Sequence, residues 1–154
     1  MKSYSLFALL LSGTCLSTSA FAQTPTQFVK KVYADHLNED LISVDAIRLH
    51  AAKELRGLIL QRDAIAERHL GDMCEWVEYA FPLIPGNDYD TRLNQMKFTQ
   101  LSNGRVRAQG SNFGERFSLD FEVSCKSNDC KIENIYTPQN YKNQMRQIVR
   151  AGTC

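Results

Sequence analysis

The sequence is short of most of the residues that announce chemistry. It has three histidines in 154 residues, and His36, His50 and His69 are spread over predicted helices with no metal-ligand spacing. No serine sits in a nucleophile elbow, no glycine-rich loop cradles a phosphate, and no thiol neighbours a histidine at a helix start. Charge of one sign is lacking too. Apart from Lys2, 17 basic residues face 17 acidic ones, which gives no general pull toward nucleic acid or anionic lipid. No apolar run beyond the N-terminal stretch approaches the ~20 residues that span a bilayer. Internal repeats and linker-like stretches are also missing, so one domain is expected.

Met1 to Ala22 reads as a cleavable signal peptide rather than part of the fold. Lys2 supplies a short positive start, Leu6 to Leu11 begin an apolar core, and Ala20-Phe21-Ala22 offers small residues for cleavage before Gln23. Cys15 raises a lipoprotein alternative, but Ser12-Gly13-Thr14 is a poor lipobox, with no aliphatic residue three before the cysteine. The expectation is export, most simply into a bacterial periplasm. Residues 23–154 are then a comfortable single-domain size.

Of five cysteines, four follow this leader: Cys74, Cys125, Cys130 and Cys154. An even count in an oxidising compartment favours two disulfides. Cys125 and Cys130 flank the turn Lys126-Ser127-Asn128-Asp129, where an antiparallel pair brings them within bridging distance. That leaves Cys74 for Cys154, a bridge that closes ~80 residues and would contribute about 4 kcal/mol if unstrained. Zinc is the competing use, yet Cys-x4-Cys without a nearby histidine or second pair is weak for it. No metal and no cofactor is expected.

The clearest element is Glu115 to Cys125. Phe117, Leu119, Phe121, Val123 and Cys125 alternate with Arg116, Ser118, Asp120, Glu122 and Ser124, the pattern of a strand with one dry and one wet face. Lys131 to Tyr136 returns beside it. Arg92 to Leu101 and Arg105 to Gly110 form an earlier hairpin around Asn103-Gly104. Ahead of these strands, Thr24-Pro25-Thr26-Gln27 opens a first helix with the makings of a capping box, and Phe28, Val29, Val32, Tyr33 and Leu37 share its apolar stripe. A longer helix capped by Ser43 is predicted to run to Leu70 and stop at Gly71. Its wet side holds Arg48, Arg56 and Arg62. Asp72 to Asp90 is dense in apolar residues broken by prolines, the pattern of a packed loop. Pro138 opens a short terminal helix through Tyr141, Met145, Ile148 and Val149. The order predicts an α+β fold in which helices cover one face of a curved, four-stranded antiparallel meander.

Three stretches carry a resemblance: Thr24-Pro25-Thr26-Gln27-Phe28-Val29-Lys30-Lys31-Val32-Tyr33, Pro85-Gly86-Asn87-Asp88-Tyr89-Asp90, and Asn112-Phe113-Gly114. In these the chain resembles a family of small exported bacterial proteins in the NTF2-like superfamily, whose own function is not established. The resemblance implies a cone of helices wrapped by a bent sheet, often enclosing a pocket. One departure is Cys130-Lys131-Ile132, where relatives tend to carry a tryptophan entering the last strand. The superfamily hosts enzymes, binders and docking modules, so fold does not choose among them.

An enzyme of this shape needs ionisable groups inside the cone. The predicted inner face holds Met96, Phe98, Val106, Ala108, Phe117, Leu119, Phe121 and Val123, none of which carries a proton. A slip of one residue would bring Asp120 and Glu122 inward instead. The best acid–base set the sequence offers is His50 with Tyr33 and Asp88. Trp76, Tyr79, Phe81 and Tyr33 are candidates for lining an apolar pocket. Arg105, Arg107 and Arg116, beside Asp120 and Glu122, are candidates for a partner surface on the outer face, or for cross-strand ion pairs on a solvated sheet. The expected function is a non-catalytic binding module for a protein partner in the cell envelope, of immunity or inhibitor type. A carrier of small apolar ligands is the alternative, and an isomerase or hydrolase stands third.

Overall fold

The structure, a computed structural model, describes residues 22–38, 41–68, 83–86, 88 and 95–153. The predicted leader up to residue 21, the segment carrying Trp76, Tyr79 and Phe81, and the pair Cys74 and Cys154 lie outside the described residues.

Helix α1 (Pro25–Asn38) begins on a reciprocal cap. Thr24 Oγ1 accepts from the Gln27 N–H at 3.2 Å while Gln27 Oε1 accepts from the Thr24 N–H at 2.9 Å, so two otherwise orphaned donors are satisfied. Its buried stripe is Phe28, Val29, Val32, Tyr33 and His36. His36 is a packing residue: its Nδ1–H donates to the Leu41 carbonyl and ties the end of α1 to the next segment.

The long second helix expected from Ser43 to Leu70 is two helices, α2 (Ser43–His50) and α3 (Lys53–Arg68). Between them Ala51 is extended (φ −70°, ψ 145°) and forms a parallel bridge with Ile132, and the Ala52 N–H donates to the Ile132 carbonyl at 2.8 Å. The break covers a strand edge that would otherwise show unpaired backbone groups. Arg56, expected on the wet side, reaches back to the carbonyls of Arg48, Leu49 and Ala51, and so caps α2 from α3. Arg62, also expected outside, is buried and pairs with Asp63. Ser43 does not cap α2. Ile42 holds the N-cap position without a side-chain bond, and the Ser43 hydroxyl accepts from the buried Leu83 N–H. Leu83 and Ile84 are buried in the core.

Strands β1 (Lys97–Gln100), β2 (Val106–Asn112), β3 (Glu115–Lys126), β4 (Asp129–Thr137) and the two-residue β5 (Gln139–Asn140) form an antiparallel meander in chain order. Val106 lies opposite Phe121, Ala108 opposite Leu119, and Phe121 opposite Ile135. All five are buried, with Ile132, and face the helices. Cys125 and Cys130 are opposite each other and disulfide-bonded, with Cα atoms 4.0 Å apart. A disulfide fits an oxidising compartment.

The register shifts once, between Glu122 and Val123, where β4 carries an extra residue at Glu133. Such a bulge re-aims a side chain, and here it buries Asn134. Asn134 Oδ1 accepts from the Lys142 N–H and its amide donates to Asn140 Oδ1, which accepts from the Asn143 N–H. The two asparagines thus cap helix α4 (Tyr141–Ala151), which starts at Tyr141 rather than at Pro138. Tyr141, Met145 and Ile148 anchor α4, Gly152 closes it in the left-handed conformation (φ 68°), and Lys142 and Arg146 pair with Glu54 of α3. The result is an α+β fold with one covered sheet face and one open one. No helix among the described residues is long and apolar enough to cross a membrane.

Candidate functional site

Strand alternation puts Lys97, Arg105, Arg107, Gln109, Ser111, Arg116, Ser118, Asp120 and Glu122 on the open face; the observed pairing keeps seven of them there, and contacts with Tyr136 hold Arg105 and Glu122. This face has two unlike halves. Near the β1–β2 turn every charge has a partner. Arg107 lies opposite Asp120 and grips it with two hydrogen bonds, Nε to Oδ1 at 2.6 Å and a terminal amine to Oδ2 at 2.8 Å. The Arg105 guanidinium carbon sits 3.5 Å from the centroid of the Tyr136 ring, and the Tyr136 hydroxyl donates to Glu122 at 2.8 Å. Toward the β2–β3 turn the face opens into a groove of about 720 Å³, lined among others by Lys97, Gln109, Ser111, Arg116, Phe117 and Ser118. Neither Lys97 nor Arg116 makes an ion pair with any described residue.

The β2–β3 turn itself is a two-residue connection. Phe113 (φ 46°) and Gly114 (φ 88°) both have positive φ, the signs of a type I′ turn. Glycine takes this conformation without penalty, whereas a residue with a Cβ pays about 1–2 kcal/mol for it. Phe113 is also 67% exposed, the most exposed large apolar side chain among the described residues. Asn112 beside it is buried, and its amide donates to the carbonyls of Pro85 and Asp88 at 2.6 and 2.8 Å. That side chain ties the hairpin to Pro85 and Asp88. Asn112→Ala is expected to lower stability by about 1–2 kcal/mol, the low end for unsatisfied acceptors because this loop is reachable by water; a urea titration measures it.

Inside the fold, the structure does not assemble His50 with Tyr33 and Asp88. Asp88 contributes its backbone carbonyl to Asn112. His50 instead places Nε2 2.7 Å from Asp35 Oδ2 at the α1–α2 contact, where Lys31 also bonds Asp35 and the Phe28 ring meets the imidazole edge to face. Burial lowers the His50 pKa below its ordinary 6.5; Asp35 pulls it up, Lys31 and Lys131 push it down, and the net result is a lowered value. Burial would raise the Asp35 carboxyl, but the hydrogen bonds and charges of Lys31 and His50 outweigh it and hold it below the ordinary value. The unfolded chain therefore takes up a proton on this histidine at a higher pH than the folded chain, and in that window stability rises with pH. Stability is expected to fall as pH drops from 7 toward 5, and further as Asp35 is protonated at lower pH. In His50→Gln the first of these losses disappears, as denaturant melts at stepped pH would record.

Tyr33 lies in the core, with its ring edge to face against Phe98 and Phe121. Its hydroxyl is buried with no hydrogen-bond partner among the described residues, and burial pushes its pKa well above the usual phenol value. Neither this groove nor a smaller one on α4 reaches it. Trp76, Tyr79 and Phe81 lie outside the described residues, so only Tyr33 of that set can be placed. Of the partner-surface set, all five residues share the open face, but four are engaged with one another or with Tyr136, and only Arg116 has no such partner among the described residues. Sequence reasoning missed Asp35, Lys31 and Tyr136 as partners and Phe113 as an exposed tip. The Lys31–Asp35 spacing of one helical turn was the available signal for the first two. Compared with protein-family models, curated proteins and solved structures, the chain finds no match in any of the three.

Proposed function

We propose that the chain is a non-catalytic periplasmic binding module that docks a protein partner, with an immunity-type or inhibitor-type role, on an NTF2-like cone. The observation that carries this reading is Phe113, a large aromatic held exposed and at positive φ beside an open groove. The left-handed backbone acts against stability in the isolated chain, and the exposed phenyl group contributes little to offset it. Backbone strain of this kind clusters at sites of contact, and aromatics at the centre of an interface carry much of its binding energy. The rigid tie from Asn112 to residues 85 and 88 keeps the tip preorganised, which limits the ordering cost of binding.

The test is a photo-crosslinking residue placed at position 113 in the full chain in its native envelope. A discrete heavier adduct from position 113, and none from position 103 in the turn at the opposite end of the sheet, is expected. Identical adducts from both positions, or none from 113, would contradict docking through this tip.

One observation favours a second reading, a carrier of small apolar ligands in the cone interior with Trp76, Tyr79, Phe81 and Tyr33 as its lining. The unpartnered Tyr33 hydroxyl is what a ligand acceptor would satisfy. Tyr33→Phe separates the two. For a docking module it is expected to raise stability by about 1 kcal/mol by removing an unsatisfied buried group. A carrier would instead lose ligand affinity with that change.

A further inference from the structure

We infer that the groove beside Phe113 receives an extended, acidic peptide segment of the partner, with two carboxylates that meet Lys97 and Arg116. This rests on the docking reading above and names the chemistry of what docks.

The two halves of the open face differ in charge. Arg107 is neutralised by Asp120, and Glu122 is bound by Tyr136, so that half offers no net charge. The groove half contains Lys97 and Arg116, and no aspartate or glutamate is among the described residues that line it. Glu115, next to Arg116 in sequence, projects to the other side of the strand. Two cations without acids, in a described lining otherwise of amides, hydroxyls, two glycines and Phe117, are complementary to a segment that is acidic but not densely charged. A polynucleotide presents a phosphate every few ångströms and is held by many more cations than two. An aromatic tip and amide-rich walls suit a polypeptide.

The register also sets a spacing. Lys97 lies opposite Gln109, Gln109 lies opposite Ser118, and Arg116 is two residues along β3 from Ser118. With strands ~4.8 Å apart and a rise of ~3.4 Å per residue, the two cations stand roughly 12 Å apart across the face. An extended peptide covers that distance in about four residues with both side chains on one side. The occupant is therefore expected to carry acidic residues at positions i and i+4, with an apolar residue near one end to cover Phe113.

The experiment is a selection of random short peptides on the purified chain, followed by affinity measurements against Phe113→Asn, Arg116→Glu and Lys97→Glu, each checked for folding by circular dichroism. Selected peptides are expected to share the i, i+4 acidic pair and to lose about tenfold or more in affinity for either charge-reversed variant. Replacing by lysine only the one peptide acid that meets position 116 should restore binding to Arg116→Glu. Peptides that depend on Phe113 but are neutral, or indifferent to both reversals, would overturn the acidic segment and leave the docking tip standing. Peptides indifferent to all three variants would overturn both. Vesicles rich in phosphatidylglycerol and a single-stranded oligothymidylate serve as parallel probes. If either matched the peptides in affinity and in dependence on Arg116, the polypeptide would be excluded as the occupant.

Discussion

Truncating Phe121 to alanine is expected to lower stability by about 3–5 kcal/mol, the range for removing a fully buried aromatic from a core that cannot collapse around the gap. Its ring has no exposure and sits opposite Val106 on one strand and Ile135 on the other. It also presents an edge to Tyr33 across the fold, with centroids 6.0 Å apart, so the truncation removes an aromatic contact as well as buried area. Glu122, the next residue, is exposed, and Glu122→Ala should change stability by no more than about 0.5 kcal/mol. The contrast between neighbours tests the register of β3. Equal losses at the two positions in a denaturant titration would mean that the sheet does not face the helices as described.

Phe113→Asn is expected to move two quantities in opposite directions. Asparagine tolerates positive φ far better than phenylalanine, so the turn relaxes and stability rises by about 1 kcal/mol. Binding through the tip should weaken about 30-fold or more, the scale on which a hot-spot aromatic is lost. A merely structural phenylalanine could not produce this pair of signs. A variant that lost binding only because it folded badly would show a lower melting midpoint, not a higher one.

Much of the fold was legible because local pattern and tertiary environment agree. In β3 the period of two coincides with a sheet covered on one face only, so Leu119 and Phe121 point inward and Ser118, Asp120 and Glu122 outward. Thr24 and Gln27 signal their helix start through contacts three residues apart. The features that stayed hidden depend on partners distant along the chain. The break at Ala51-Ala52 exists because Ile132 needs an edge partner, and nothing near Ala51 says so. Ser43 looks like a cap, yet its hydroxyl is claimed by the Leu83 N–H. The bulge at Glu133 is set by how Asn134 must reach α4, which alternation in β4 alone does not reveal.

The site was legible in composition and not in arrangement. Alternation places Arg105, Arg107 and Arg116 on one face, but whether each is free depends on what lies across the strands. Asp120 and Tyr136 answer that for the first two. Asn112-Phe113-Gly114 reads as a turn, while the exposure of its aromatic follows only from where the hairpin ends relative to the helices. His50 and Asp35 meet because α2 folds back on α1, a geometry no spacing within either helix encodes.

Backbone amide chemical shifts of the labelled chain, followed as a selected peptide is added, test the location of binding most directly. Shifts confined to Lys97 and to the segment from Gln109 to Ser118 are the predicted result. Shifts centred instead on Tyr33, Phe98 and Phe121, with the Phe113 turn unmoved, would place the ligand inside the fold and contradict docking on the open face.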